Sequence, residues 1–291
     1  MEFSTEIKHP LKETVYSPQS MPNGLLSLIK AIWVDFKLGH NLGRQLFERD
    51  LKAQYRQSFL GIFWAFAPAF VTALLWIFLN SSKVITVQVT GMSFALFTTT
   101  GTLMWQIITQ SLNTTMSCVN SGKSLLTKLN FPREALLIHA FYTILFNILI
   151  LLAVTILIAS FMGWQPSWVT LLFPFVLFDL IIVGFALGLL FHSIFSMIAD
   201  FSKIVTMALP FLMYVSAVVF PKPTDQGFAR FVFDINPFTH LINFSRDVFV
   251  GQPSQSTIMF LIISAVSFVL FAVGLVMYRI TMPIIIERMG S

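Results

Sequence analysis

The chain has 291 residues, of which 56% are hydrophobic and 11% are charged, and its formal net charge is +5. Soluble domains carry roughly 25% charged residues, so this composition excludes an ordinary soluble globular protein. We therefore interpret the chain as an integral membrane protein of the all-α class. The one cysteine, Cys118, excludes an internal disulfide framework and a multi-thiolate metal site.

The N-terminal part of the chain is polar and is predicted to remain in the cytoplasm. Residues 1–24 form a polar extension to which we assign no role. In residues 25–56 apolar side chains recur at helical spacing beside charged ones, which indicates an amphipathic helix in the membrane interface. Both a plain membrane anchor and a regulatory element fit this helix. Residues 57–291 are predicted to form the transmembrane domain.

Apolar runs of the roughly 20 residues that a membrane-crossing helix needs occur five times, and a sixth run is diluted by threonine and glutamine. The positive-inside rule favours counting the sixth, because most of the 18 basic residues then lie on the side of the N-terminus. This pattern predicts six transmembrane helices with both termini in the cytoplasm. The predicted spans are about 59–79, 92–118, 138–161, 168–195, 203–220 and 258–278.

The segment "NSGKSLLTKLNFPRE", Asn120–Glu134, contains Gly-Lys-Ser, the last part of a phosphate-binding loop. The loop's first glycine is missing, since Ser117 stands there, and a membrane span precedes the segment. We therefore expect no nucleotide site, no catalytic residue and no cofactor or metal in this chain. A solvated turn is one interpretation of the segment. Its basic and large apolar side chains favour a cytoplasmic docking loop, 119–137, for a partner.

The predicted external segment between the fifth and sixth spans is too rich in phenylalanine for a solvated loop. Asn236-Pro237 predicts a break between two short apolar helices within 226–249. We predict that these helices re-enter the outer leaflet, where the surrounding protein must bury their broken backbone.

Asp179 is a carboxylate deep inside an apolar span, where a charge costs of order 3 kcal/mol. It is interpreted either as a proton carrier or point on a translocation path, or as a buried residue satisfied by a neighbouring helix, which is slightly favoured. In the same span Gly184-x-x-x-Gly188 predicts close helix packing, within the chain rather than between copies.

Aromatic residues recur along the predicted first span, where they include Trp76, and again on the predicted fifth span. Most such residues face lipid or form interfacial belts. A path lined by aromatic faces would also suit sugar rings, with hydroxyl groups bound by Thr, Ser and Gln. The basic excess is attributed to topology and to contact with anionic lipids, so that nucleic acid is not an expected partner.

Three stretches together resemble the permease subunits of ABC exporters for lipid-linked polysaccharides, namely O-antigen, capsule and teichoic acid. They are "RDLKAQYRQSFLGIFWAFAPAF" (49–70), "LTKLNFPREALL" (126–137) and "INPFTHLINFSRDVFVG" (235–251). The resemblance runs from about Leu25 to the C-terminus and includes the same six-span plan.

The resemblance implies a homodimer of this chain with two copies of a separate ATPase subunit that holds ATP and Mg. The implied substrate is an undecaprenyl-diphosphate-linked glycan, with O-antigen preferred, carried outward across the bacterial inner membrane. An ion-coupled secondary transporter centred on Asp179 remains the alternative.

The resemblance also implies roles for individual positions. Coupling to the ATPase falls on Ser121, Lys123, Leu125, Leu126, Lys128, Leu129, Phe131, Arg133 and Glu134. The cytoplasmic entrance falls on Arg49, Lys52, Tyr55 and Arg56. The channel lining falls on Phe59, Phe63, Trp64, Phe66, Phe70, Phe211 and Tyr214. The external gate falls on Phe228, Phe231, Asn236, Pro237, Phe238 and Arg246.

Overall fold

A computed structural model of the chain describes residues 25–56, 67, 70–72, 74–76, 78–79, 82, 89, 91–126, 131–195, 198, 200–223 and 226–290. These residues are mainly helical and contain no strand, which confirms the predicted all-α class. The predicted N-terminal extension and most of the predicted first span lie outside the described residues. Within that span, residues 70–72, 74–76 and 78–79 are helical.

The described helices are joined by short connections, apart from the gaps just given and the longer stretch between α6 and α7. They are α1 (Leu25–Tyr55), α2 (Phe94–Ser121), α3 (Lys123–Leu126), α4 (Glu134–Phe161), a 3-10 helix (Trp168–Leu172), α5 (Phe173–Phe195), α6 (Phe201–Tyr214), α7 (Phe228–Ile235), α8 (Pro237–Val250) and α9 (Thr257–Gly290). Three of the described stretches are long and apolar enough to cross a membrane: Glu134–Phe161, Trp168–Ile194 and Thr257–Glu287. With 28 residues, α2 is as long as α4, but its threonine and glutamine side chains lower its hydropathy.

The core of the bundle is built around α2, which packs against α5 on one side and α4 on another, while α9 packs against α5. The close approach of α5 to α2 depends on two glycines. A Cβ atom at Gly188 would lie 2.7 Å from Leu112 O, and one at Gly184 would lie 2.6 Å from Ser111 Cβ. Because those distances are below van der Waals contact, only glycine fits there. The predicted small-residue stripe therefore packs within the chain.

Sequence reasoning overlooked a second pair of glycines with the same spacing, Gly39 and Gly43 in α1. A Cβ atom at Gly39 would lie 3.0 Å from Ala135 N, and one at Gly43 would lie 2.7 Å from Ala135 O. This contact fastens α1 to the first turns of α4. Since Ile32 and Leu46 of α1 are buried as well, α1 is a packed part of the fold on one face.

Two helix ends differ most from the predicted ones. The helix predicted to run to Phe220 ends at Tyr214, and Ala217 has a positive φ of 54°. The last helix runs past the predicted limit of its span, through Pro283, to Gly290.

The break predicted at Asn236-Pro237 is confirmed. Asn236 follows α7 and is the N-cap of α8, where its Oδ1 accepts a hydrogen bond from Phe238 N at 3.0 Å. Pro237 takes the first helical position, for which its fixed φ suits it.

Candidate functional site

The chain leaves α6 through an irregular stretch, residues 215–218, whose carbonyl groups no longer have helical partners. Ser216 Oγ donates to Leu212 O at 2.6 Å, inside the last turn of α6. Asn236 Nδ2 donates to Val215 O at 3.0 Å and to Ser216 Oγ at 2.9 Å. The residue that separates α7 from α8 thus also caps the end of α6.

Arg246 of α8 completes this capping, and its side chain is only 2% exposed. Its Nη2 atom donates to Ala217 O at 2.7 Å and to Val218 O at 3.2 Å, while Nη1 donates to Asn243 Oδ1 at 3.0 Å. The guanidinium carbon lies 3.6 Å from the centre of the Phe97 ring in α2. All of these partners are uncharged, and carbonyls at a helix C-terminus attract a cation.

The space for this guanidinium depends on Gly101 in α2. A Cβ atom there would lie 2.5 Å from Val218 O and would also collide with Arg246. We call this arrangement the Arg246 seat: Arg246, Asn236, Phe97, Gly101 and the carbonyls of residues 215–218. It joins α8 to the ends of two other helices, α2 and α6.

The seat divides the predicted gate residues into two groups. Phe238 is half-buried, with its ring edge-on to Trp105 at 5.7 Å, and Arg246 is fully buried. In contrast, Phe228 and Phe231 of α7 are 83% and 59% exposed, and Pro237 is exposed too. The structure therefore does not bring the predicted gate together on one surface.

The two helices of this region also differ in how firmly they are packed. In α8, Phe249 stacks on Trp164 with ring centres 4.8 Å apart, and Trp164 Nε1 donates to Phe249 O at 3.1 Å. By contrast, α7 has no buried residue. The Lys222 ammonium donates to the carboxylate of Asp234 in α7, and this hydrogen bond lowers the pKa of Asp234 below its ordinary value.

At the far end of α2, a second arginine joins three helices. Arg279 of α9 donates from Nη1 to Glu134 Oε1 at 2.9 Å and from Nη2 to Asp35 Oδ2 at 2.6 Å. Next to it, Tyr278 Oη donates to Arg133 O at 3.0 Å. We call Asp35, Glu134 and Arg279 the Arg279 cluster; it ties α1 and the start of α4 to α9.

The predicted coupling loop is partly packed against the rest of the chain. Leu126 is buried, and Leu125 and Phe131 are half-buried against the core. A docking surface for a partner would expose such side chains, but these three are covered at least in part by the chain itself. Ser121 is exposed, Arg133 is half-buried, and Glu134 is engaged by Arg279. The side chain of Lys123, and the whole of Lys128 and Leu129, lie outside the described residues.

The predicted entrance lies at the C-terminal end of α1, where Arg49, Lys52 and Arg56 are all exposed. Arg49 Nη2 lies 2.7 Å from Asp50 Oδ1, and Asp50 Oδ2 lies 3.2 Å from His139 Nε2. A cationic surface thus ends the helix that Gly39 and Gly43 fasten to α4. The side chain of Tyr55 lies outside the description.

Three of the predicted channel-lining aromatics are described, and all are exposed on the single chain: Phe70 (43%), Tyr214 (50%) and Phe211 (75%). The other four, Phe59, Phe63, Trp64 and Phe66, lie outside the described residues.

Asp179 is buried between α5 and α9. Ser264 Oγ of α9 donates to Asp179 Oδ2 at 2.9 Å. A neighbouring helix thus supplies the hydrogen bond that the favoured interpretation required. In the described part of the chain, no group of three or more His, Cys, Asp and Glu side chains lies close enough to hold a metal ion.

Sequence reasoning missed Asp35, Arg279 and Ser264 as structural partners. A charged side chain such as Arg279, placed at the end of an apolar run, signals that a carboxylate is needed nearby. That signal identifies the need but gives no partner, because Asp35 is 244 residues away in sequence.

Comparison with known proteins places the chain in a family. The model of the ABC-2 type transporter family matches residues 42–250. The chain is 26% identical over 227 residues to the O-antigen export system permease protein RfbA of Myxococcus xanthus, covering 77% of this chain and 86% of that one. It is 23% identical over 256 residues to a protein of the same name from Klebsiella pneumoniae, covering 84% and 96%. The matched range includes the Arg246 seat, Glu134 and the predicted entrance, and the chain belongs to the ABC-2 type transporter family.

Proposed function

We propose that this chain is the permease subunit of an ATP-driven exporter that moves a lipid-linked polysaccharide, O-antigen in the first instance, outward across the inner membrane. The observation that carries this proposal is the family match over residues 42–250, together with relatives named as O-antigen export permeases over most of their length. In a membrane transport subunit of this family, ATP is hydrolysed by a separate ATPase chain rather than by the permease.

The proposed assembly is a homodimer of this chain with two ATPase subunits. Both termini lie in the cytoplasm, and the substrate is a glycan linked to undecaprenyl diphosphate. The exposed basic end of α1, with Arg49, Lys52 and Arg56, provides positive charge where a diphosphate would enter. Exposed aromatic side chains on the first and fifth spans then offer faces on which sugar rings can stack.

The Arg279 cluster supports a coupling role for the loop that precedes α4. Because Arg279 binds both Asp35 and Glu134, the interface helix α1, the end of the loop and the last span are tied together. A displacement of the loop by an ATPase is then passed to all three helices as one body, in the manner of rigid-body switching. The packed Leu126 serves the same purpose, since a loop that transmits a displacement must itself be anchored.

The Arg246 seat supports a division of labour in the predicted gate. α8 is fixed to the end of α6 by buried hydrogen bonds and to α2 by the ring contacts of Arg246 and Phe238. In contrast, α7 is held chiefly by α8 and by the Lys222–Asp234 pair. In the proposed exporter, α8 is the fixed helix of the outer gate. The mobile helix is α7, which carries the exposed Phe228 and Phe231.

The test begins with the native chain, purified from its own membranes in mild detergent. We expect an ATPase chain and a lipid-linked glycan to co-purify with it. Reconstituted in vesicles with that ATPase, the chain should export the glycan only when ATP is supplied. Export that proceeds without ATP and collapses with the proton gradient would contradict the proposal.

Asp179→Asn distinguishes the exporter from an ion-coupled carrier. An asparagine can still accept the hydrogen bond from Ser264, so the fold should be kept. We expect this variant to retain ATP-dependent export. Loss of export from a normally folded Asp179→Asn protein would favour proton coupling through this residue.

A further inference from the structure

A small polar cavity lies between the predicted first span, α2 and α4. Its volume is about 20 Å³. The polar residues that line it come from all three elements: Thr72 and Trp76 from the first span, Thr99, Thr102 and Gln106 from α2, and Thr155 from α4. None of the predicted site residues lines this cavity.

Two buried polar atoms at the cavity have no hydrogen-bond partner in the described part of the chain: Trp76 Nε1 and Thr99 Oγ1. The side chains are well enclosed, with 9% of Trp76 and 6% of Thr99 exposed. The indole is also fixed in orientation, because its ring lies edge-on to Phe94 with centroids 6.5 Å apart. A buried N–H or O–H without a partner costs about 1–3 kcal/mol, so both groups require one.

The hydroxyls of Thr102 and Thr155, which also line the cavity, cannot satisfy these groups by donation. Thr102 Oγ1 donates to Thr98 O at 2.6 Å, and Thr155 Oγ1 donates to Leu151 O at 2.9 Å. Each hydroxyl keeps its lone pairs and remains able to accept. Trp76, Thr99, Thr102 and Thr155 together present one indole donor, one hydroxyl that can donate or accept, and two further acceptors.

We propose that this cavity is the binding site of one ordered water molecule, which accepts a hydrogen bond from Trp76 Nε1 and bridges it to Thr99 Oγ1. A cavity needs roughly 10–15 Å³ for one water, and the water needs two to four polar partners; both conditions are met. The water is thus a polar connection between the predicted first span and α2.

Such a bridge also suits the proposed function, in which the first span lines the path. When the two helices separate, the water can stay bound to one of them or exchange with other water, so that a polar group uncovered by the movement keeps a partner. The proposed water site belongs to the folded chain at rest. The experiments that test it do not measure transport.

The first test is a double-mutant cycle on the full-length chain in detergent, followed by thermal unfolding. Trp76→Phe and Thr99→Val should each lower the midpoint by roughly 2–4 °C, the effect of about one lost hydrogen bond. If one water joins the two groups, the double variant should unfold close to the less stable single variant. Fully additive shifts would overturn the proposal.

The control for the cycle is Thr98→Val combined with Trp76→Phe. Thr98 is adjacent to Thr99 and fully buried, but its hydroxyl donates within α2, to Phe94 O at 3.0 Å. We expect additive shifts for this pair. The same non-additivity in the control pair would show that Trp76 perturbs α2 as a whole and would also overturn the proposal.

A second measurement uses the native protein and needs no variant. In X-ray footprinting, radicals formed from a bound water oxidise the side chain beside it. Trp76 and Trp105 are both buried, with 9% and 5% exposed, but only Trp76 lines the cavity. We expect Trp76 to be oxidised several-fold faster than Trp105. Equal rates would contradict a water at this site.

Discussion

Two arginines, one at each end of α2, hold the bundle together by opposite means. Arg246 is fully buried and is bound by carbonyl groups, an amide oxygen and the ring of Phe97. Arg279 is partly exposed and is bound by two carboxylates, Glu134 and Asp35. The first is a charge that caps a helix, and the second is the centre of an ion-pair network.

The difference shows which end of the bundle can adjust. Backbone carbonyls of residues 215–218 cannot be replaced by other partners, so the Arg246 seat is rigid and sensitive to any change of shape. In the Arg279 cluster, Glu134 is buried, but Asp35 is a partly exposed side chain that can reorient or exchange its partner with solvent. A rigid seat beside the predicted gate and an adjustable cluster beside the predicted coupling loop fit an exporter driven from the cluster's end.

The largest effect is expected from Arg246→Met. It leaves the Ala217 and Val218 carbonyls buried without donors, so we expect a loss of about 3 kcal/mol, on the order of 10 °C in the unfolding midpoint. Arg246→Lys is the matched control, because it retains the charge but cannot reach two carbonyls and Asn243 together. Its loss should be smaller than that of methionine. An Arg246→Met protein that unfolds at the wild-type temperature would contradict the seat.

A smaller effect is expected from Gly101→Ala, which tests the seat without changing a charge. The added Cβ atom would lie 2.5 Å from Val218 O, so α2 and residues 215–218 must separate. Overpacking of this kind costs about 1–3 kcal/mol. Gly227→Ala serves as the control, since no heavy atom lies within 4 Å of a Cβ at that position. Equal stability of the two variants would mean that the seat is not tightly packed.

Arg279→Met should cost less, about 1–2 kcal/mol, because Arg279 and Asp35 are partly exposed to solvent, although the Glu134 carboxylate is buried. Its distinguishing property is salt dependence. Screening shortens the reach of exposed charges from about 10 Å at 0.1 M salt to about 3 Å at 1 M. The difference in unfolding midpoint between wild type and Arg279→Met should therefore shrink with salt, whereas that for Arg246→Met should not. A salt-dependent difference for Arg246→Met and a salt-independent one for Arg279→Met would contradict this account of the two arginines.

The smallest effect concerns the Lys222–Asp234 pair that holds α7. Since the hydrogen bond from Lys222 lowers the folded-state pKa of Asp234, the pair stabilises the fold above the ordinary pKa of an aspartate. That contribution is lost as the pH falls through the lowered folded-state pKa. We expect Asp234→Asn and Lys222→Met to remove the same small part of the acid-dependent loss of stability. If neither variant changed the pH dependence of stability, other contacts would have to hold α7.

Features that depend on local rules of helix structure could be predicted from the sequence alone. The break at Asn236-Pro237 follows from what proline allows in a helix, and the contact at Gly184 and Gly188 follows from their helical spacing. The coupling loop shows the limit of such rules. Leu126 and Phe131 were assigned to a docking loop for a partner, yet Leu126 belongs to the core of the chain itself and Phe131 packs against that core. Periodicity describes one helix at a time and does not reveal which neighbour covers it.

By itself, the sequence determined the all-helical class, the membrane environment and the resemblance to polysaccharide exporters, because these depend on composition, apolar run length and contiguous motifs. Only the tertiary structure decided the position of Arg246, which the family resemblance assigned to the external gate and which lies buried at the end of α6. It also decided the partners of Arg279, one of them 244 residues away. A buried charge needs hydrogen-bond acceptors around it, and those groups come together only once the helices have packed.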